Sequence, residues 1–133
     1  MEIYTSYFAK HKEEDERTAY VSIAVGNPKY PLAYKLLNLH SVKPYGVFKK
    51  YENDEYKARY FELLERRRVD VIRNEINILG KGKDKVLLLC HEKDPADCHR
   101  KLFAEWWESK TGEKIEEWGE KNELQQLSLF DII

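Results

Sequence analysis

The chain has 133 residues, of which 42% are apolar and 13% aromatic, and a formal net charge of −1. That length suits one domain with a real core and leaves little room for two, and the composition excludes an intrinsically disordered chain. No apolar run approaches the ~20 residues needed to cross a bilayer, so no membrane partner is expected. Met1-Glu2-Ile3-Tyr4 runs straight into strand-like sequence without a secretory leader. A cytoplasmic location is therefore expected, with the two cysteines as thiols rather than a disulfide. The charge is unevenly spread. Residues 43–85 carry twelve basic and eight acidic side chains, and residues 86–133 carry six and eleven. Lys49, Lys50, Arg59, Arg66, Arg67, Arg68 and Arg73 are the candidates to face phosphates, although a solvated face looks much the same.

In chain order, Ile3–Phe8 reads as a first strand, rich in Tyr, Ile and Phe. Lys10–Arg17 is polar and reads as a loop. Ala19–Val25 is a second strand, stopped by the turn signal Gly26-Asn27-Pro28. Leu32–Leu37 suits a short helix after Pro31, and His40–Phe48, with Pro44 and Gly46, suits a loop. Asp54 is placed to N-cap a helix whose apolar face is Tyr56, Tyr60, Leu63 and Leu64. Beyond Arg66-Arg67-Arg68 that face shifts to Val69, Ile72, Ile76 and Leu79, which predicts a break near Asp70 rather than one straight rod. Val86–Cys90 is an unbroken apolar run, as expected of a central strand covered on both faces. Asp94-Pro95 is predicted to open a helix carrying Cys98, Leu102, Phe103 and Trp106. Of Trp106 and Trp107, one should face outward. Lys114–Trp118 suits a short final strand. The expectation is one Rossmann-like α/β domain over residues 1–120, a three-layer sandwich around a mostly parallel sheet, with a tail at 121–133.

Both cysteines, two of the four histidines and an arginine fall between Cys90 and Arg100. The flanking grammar puts Cys90 at the carboxyl end of the central strand and Cys98-His99-Arg100 in the first turns of the next helix. Ligands of open α/β sheets bind at the carboxyl ends of strands, and a helix start favours an anion. With Leu88-Leu89-Cys90-His91-Glu92 followed by Cys98-His99-Arg100, the chain resembles a bacterial and phage family known as domain of unknown function 488. The likeness extends upstream through the Tyr56–Leu64 helix, the Phe48/Tyr51 pair and Pro44, and weakly to the first strand, over most of residues 1–110. The N-terminal third departs most from the family pattern. The resemblance implies a fold and a site, and no reaction.

Several readings of that element stand side by side. In one, Arg100 and the helix start hold a phosphate or carboxylate, His99 transfers protons, Glu92 orients a neighbour or acts as a base, and Cys98 or Cys90 is a nucleophile. In another, the cysteines and histidines bind zinc, although their spacing suits no usual finger or ribbon and no cofactor is expected. In the third, Cys90 and Cys98 are packed and inert, and Arg100 pairs with Glu92 or Asp97. Thr5, Ser6 and Asn27 follow strand ends near the same crevice and are candidate anion contacts. His11 and His40 read as surface histidines. No P-loop or dinucleotide fingerprint is present.

The last residues resemble a ligand for another protein. Gln126-Leu127-Ser128-Leu129-Phe130 is similar to the peptide by which bacterial replication and repair proteins dock on the DNA sliding clamp. Leu127, Leu129 and Phe130 would fill an apolar pocket while Gln126 fixes register. The same alternation also suits a terminal strand packed on the domain. Two functions follow: an enzyme of DNA metabolism, or of nucleotide or nucleic-acid processing, tethered to the clamp; or a non-catalytic clamp-binding or anion-binding adaptor whose Cys-His-Arg loop is structural. A redox or metal-sensing role ranks third.

Overall fold

The computed structural model describes residues 1–95 and 98–119. Its core is a parallel sheet of five strands: β1 (Glu2–Tyr7), β2 (Thr18–Ser22), β3 (Leu36–Asn38), β4 (Lys85–Cys90) and β5 (Glu116–Glu117). They lie in the order β3-β2-β4-β1-β5, and every pair runs parallel. Among the described residues three α-helices complete the Rossmann-like sandwich: α1 (Asn53–Arg67), α2 (Val69–Leu79) and α3 (His99–Thr111). The apolar run at Val86–Cys90 forms the middle strand and is buried throughout, because β1 and β2 flank it and helices cover the sheet.

Register sets what the sheet offers to a ligand. Tyr7 lies beside Cys90, Ser22 beside Leu89, and Ser22 beside Asn38. The carboxyl ends of four strands therefore finish at one edge, and the segments that follow them share it. Two surface grooves, of about 310 Å³ and 440 Å³, lie elsewhere. The first runs along Met1–Tyr4 and Trp107, and the second lies between α2 and the end of α3.

The helices bury the faces their sequences advertise: Tyr60, Leu63 and Leu64 on α1, and Ile72 and Ile76 on α2. The predicted break falls at Arg68, which takes φ 74° between the two helices. α3 buries Phe103 and both Trp106 and Trp107, so neither indole faces outward. Each indole N–H reaches a carboxylate at the rim, Glu65 for Trp106 and Glu113 for Trp107, which lets two large rings be covered without orphaning a donor. Gly112, left-handed at φ 76°, ends the helix and returns its N–H to the Glu108 carbonyl.

Three local expectations are corrected. Leu32–Leu37 forms no helix; Leu36 pairs with Tyr20 and the segment joins the sheet, where tertiary pairing overrides weak local preference. α1 starts at Asn53 after Glu52, so Asp54 sits inside the first turn, where its charge still suits the helix dipole. α3 starts at His99, with Cys98 as its N-cap, and Asp94-Pro95 belongs to the preceding turn. Among the described residues no helix is long and apolar enough to cross a membrane. Gln126, Leu127, Leu129 and Phe130, like Asp97, lie outside the described residues.

Candidate functional site

β4 ends at Cys90, the chain loops out, and α3 begins beside it. The loop brings Cys98 back against Cys90, and the two sulfurs are joined in a disulfide. This corrects the expectation of two thiols. Eight residues of separation say nothing about whether the intervening loop folds back, and here it does. The partners differ in access: Cys90 is 1% exposed, whereas Cys98 is half-buried.

Arg100 explains why the loop takes this path. Its guanidinium is fully buried and every N–H is used. Nε and Nη2 donate to the two oxygens of Glu117, both at 2.9 Å. Nη1 donates to the Glu92 carbonyl at 2.5 Å and to Cys90 Sγ at 3.1 Å, and Nη2 also reaches the Lys93 carbonyl at 3.0 Å. Arginine carries five N–H donors, so this geometry leaves none for an anion. The expected anion-binding role of Arg100 gives way to that of a buried brace, and its acidic partner is Glu117 rather than Glu92. The Glu92 side chain is exposed, and its carbonyl is what meets the guanidinium. Thr5 belongs to the same cluster, donating to Glu117 Oε1 at 2.7 Å.

His99 faces the other side of the bridge. Its Nε2 donates to the Ile23 carbonyl at 2.6 Å, the assignment a carbonyl requires. The Nδ1 lone pair is thereby left toward Cys98 Sγ, 3.8 Å away. The edge of the Tyr60 ring packs on the imidazole, and the Tyr60 hydroxyl is held by the Val42 carbonyl. Burial, helped by the Arg100 charge and opposed by the hydrogen bond to Ile23, pushes His99 down to about 4, so it is neutral at physiological pH. Cys90, Cys98 and His99 place their sulfurs and a ring nitrogen within 4.8 Å of one another, a set that could ligate one metal ion once the bridge is open.

The remaining candidates lie nearby with partners of their own. Ser6 is buried and shares a 2.8 Å hydrogen bond with His11 Nε2. His11 is thus no surface histidine: it sits against Tyr20 and Tyr34, and burial beside Lys10 and Lys85 holds it down at about 4. His40 is exposed, as expected. His91 bonds the Gly26 carbonyl and packs on Phe8. Asn27 accepts from Ser22 at 2.6 Å and donates to Asn38 Oδ1 at 3.0 Å. Asn38 Oδ1 also accepts from Lys43 Nζ at 2.7 Å. Sequence reading missed Ser22, Asn38, Lys43 and Glu117. Lys43 lies just before Pro44, in the loop that follows β3.

Fold and site together define a parallel α/β domain with a sulfur–imidazole centre at the carboxyl end of its middle strand. Within that class, the chain belongs to the family described as Domain of unknown function DUF488, whose model matches residues 40–107, just over half of the chain. The match holds α1, α2, β4 and most of α3, with Cys90, Cys98, His99 and Arg100. It leaves β1, β2 and β3 outside and is shorter than the likeness expected over residues 1–110. Comparison with curated proteins and with solved structures gave no match.

Proposed function

We propose that this protein is a cysteine-dependent enzyme of nucleotide or nucleic-acid metabolism, with Cys98 as nucleophile and Cys90 as the thiol that closes on it, tethered to the sliding clamp by residues 126–130. The carrying observation is the asymmetry of the pair: an outer sulfur at a helix start beside a neutral imidazole, and an inner sulfur sealed under Arg100. The bridge is the oxidised resting form. An external dithiol opens it, is itself oxidised to a disulfide, and leaves its two protons on Cys90 and Cys98. The amino end of α3 then favours the Cys98 thiolate, while His99 accepts a hydrogen bond from whatever thiol remains. His99 is too weakly basic to form the cationic half of an ion pair. Cys98 attacks an electrophilic atom of the substrate, whose leaving group departs with the bonding pair.

The nucleic-acid setting is supported by the tail and by a basic, aromatic surface. Phe48 is 50% exposed with Lys49 over its ring, and Arg59 lies over Tyr51, an arrangement suited to bases and phosphates. The test is alkylation after dithiol reduction. Cys98 should react at pH 7 several-fold faster than in the denatured chain, because the helix start favours its thiolate, and Cys90 should stay protected. Preferential labelling of Cys90, or no acceleration at Cys98, would overturn the reading.

The complete internal satisfaction of Arg100 favours a second reading, an adaptor whose bridge and guanidinium brace the loop. A folded Cys98→Ser variant that keeps full cellular function would select the adaptor.

A further inference from the structure

We propose that the loop leaving β3 is a phosphate-binding site built from Lys43, Asn38 and Ser41, and that it seats a phosphate-bearing substrate beside Cys98. The second half rests on the thiol-enzyme reading; the first does not.

Lys43 is 2% exposed, and among the described residues no carboxylate stands within ion-pairing distance of it. Among the described residues its ammonium makes one side-chain hydrogen bond, to Asn38 Oδ1, and two of its donors meet no acceptor. The polarity of the surrounding network is fixed. Lysine can only donate, so Asn38 must turn its oxygen toward it. Asn27 donates to that same oxygen and accepts from Ser22, which in turn accepts from the Ala24 N–H. Asn38 therefore turns its amide N–H groups away from both, and among the described residues they meet no acceptor. Ser41 Oγ, two residues before Lys43, is buried and among the described residues has no hydrogen-bond partner.

The unspent groups thus form a donor-rich set on one short segment. A buried ammonium without a counter-charge is costly, and a buried hydroxyl without a partner adds to that cost. A bound anion relieves both. Burial depresses the Lys43 amine below its ordinary range, the direction expected of a cation lacking its counter-ion. A point-charge lysine with scattered single donors suits the several oxygens of a phosphate, whereas a planar carboxylate is better matched by an arginine fork.

The two centres share walls. Ile23, which follows Ser22, supplies the carbonyl that orients His99. Val42, which precedes Lys43, holds the Tyr60 hydroxyl, and the Tyr60 ring packs on His99.

The experiment is calorimetric and thermal-shift titration of the full chain with inorganic phosphate, a deoxynucleoside 5′-monophosphate, and acetate as the carboxylate control. Phosphate and nucleotide should saturate one site and raise the melting temperature, and acetate should do neither. Equal affinity for both phosphate probes means the site reads phosphate alone, and tighter nucleotide binding means the base is read too; either supports the site. Lys43→Met should weaken phosphate binding by about tenfold or more, equivalent to at least 1.4 kcal/mol, yet melt no lower than the native protein without ligand. Asn38→Asp supplies an internal counter-charge of the same shape, so it should raise the melting temperature and abolish phosphate binding. Cys98→Ser should bind phosphate normally, so failure of the thiol chemistry would leave this result intact. Absence of saturable phosphate binding, acetate binding as tight as phosphate, or undiminished binding by Asn38→Asp would each overturn the site.

Discussion

Arg100 shows how far one residue's role can depend on a partner remote in sequence. The Cys-His-Arg run marked it as unusual, but Glu117 lies seventeen positions on, in a strand of two residues that pairs with β1. With the guanidinium removed, Glu117 loses its counter-charge and the Glu92 and Lys93 carbonyls lose their donor. Arg100→Met should therefore cost about 3–5 kcal/mol of unfolding free energy in urea denaturation, the range for breaking a buried ion pair. His99 supplies a pH dependence at the same scale. Its value falls from 6.5 unfolded to about 4 folded, so between those limits the unfolded chain binds the extra proton. Stability is then complete above pH 6.5 and declines as pH drops toward 4, by up to about 1.4 kcal/mol per unit from this group. His11 acts in the same direction and window. Melting temperatures between pH 7 and 4.5 should fall steadily, and His99→Gln should flatten part of that slope.

At the scale of elements, the α1–α2 break was legible because the apolar face jumps phase past Arg66-Arg67-Arg68. Its cost was not. Arg68 adopts φ 74°, ψ 133°, a conformation open to glycine and strained for a residue with a Cβ. Its Asp70 ion pair is exposed and contributes little. Arg68→Gly should raise stability by about 1 kcal/mol, read as a higher denaturant midpoint at unchanged slope. β3 shows the opposite limit. Leu36-Leu37-Asn38 has no strong strand signal, and the open edge of β2 recruits it. The N-cap of α3 was misplaced for a related reason: Asp94-Pro95 is a sound helix opener in isolation, yet the chain must first turn back to bring Cys98 to Cys90 and Arg100 beneath the loop.

At the scale of the whole molecule, the site and the tail make separable demands. If residues 126–130 dock on the clamp, Leu129→Ala with Phe130→Ala should abolish binding in a pull-down and shift the melting temperature by less than about 2 °C, because a shift of 4–8 °C per kcal/mol would betray core residues. Metal should not be required: with the bridge closed, a chelator should leave the melting temperature unchanged, and a large drop would assign Cys90, Cys98 and His99 to an ion instead.

The sequence by itself determined the class of fold and the edge of the sheet at which the Cys90–Arg100 segment emerges. A five-residue apolar run, too short for a helix and bounded by turn signals, suits a covered central strand, and the residues that follow it in the chain emerge at that strand's carboxyl end. Tertiary structure decided which side chains that edge spends and which it leaves unspent. Arg100, conspicuous in the motif, is consumed by Glu117, while Lys43, inconspicuous in its loop, is buried with no counter-charge among the described residues. Burial and pairing are properties of neighbours brought together across the sheet, and no local pattern encodes which neighbours those are.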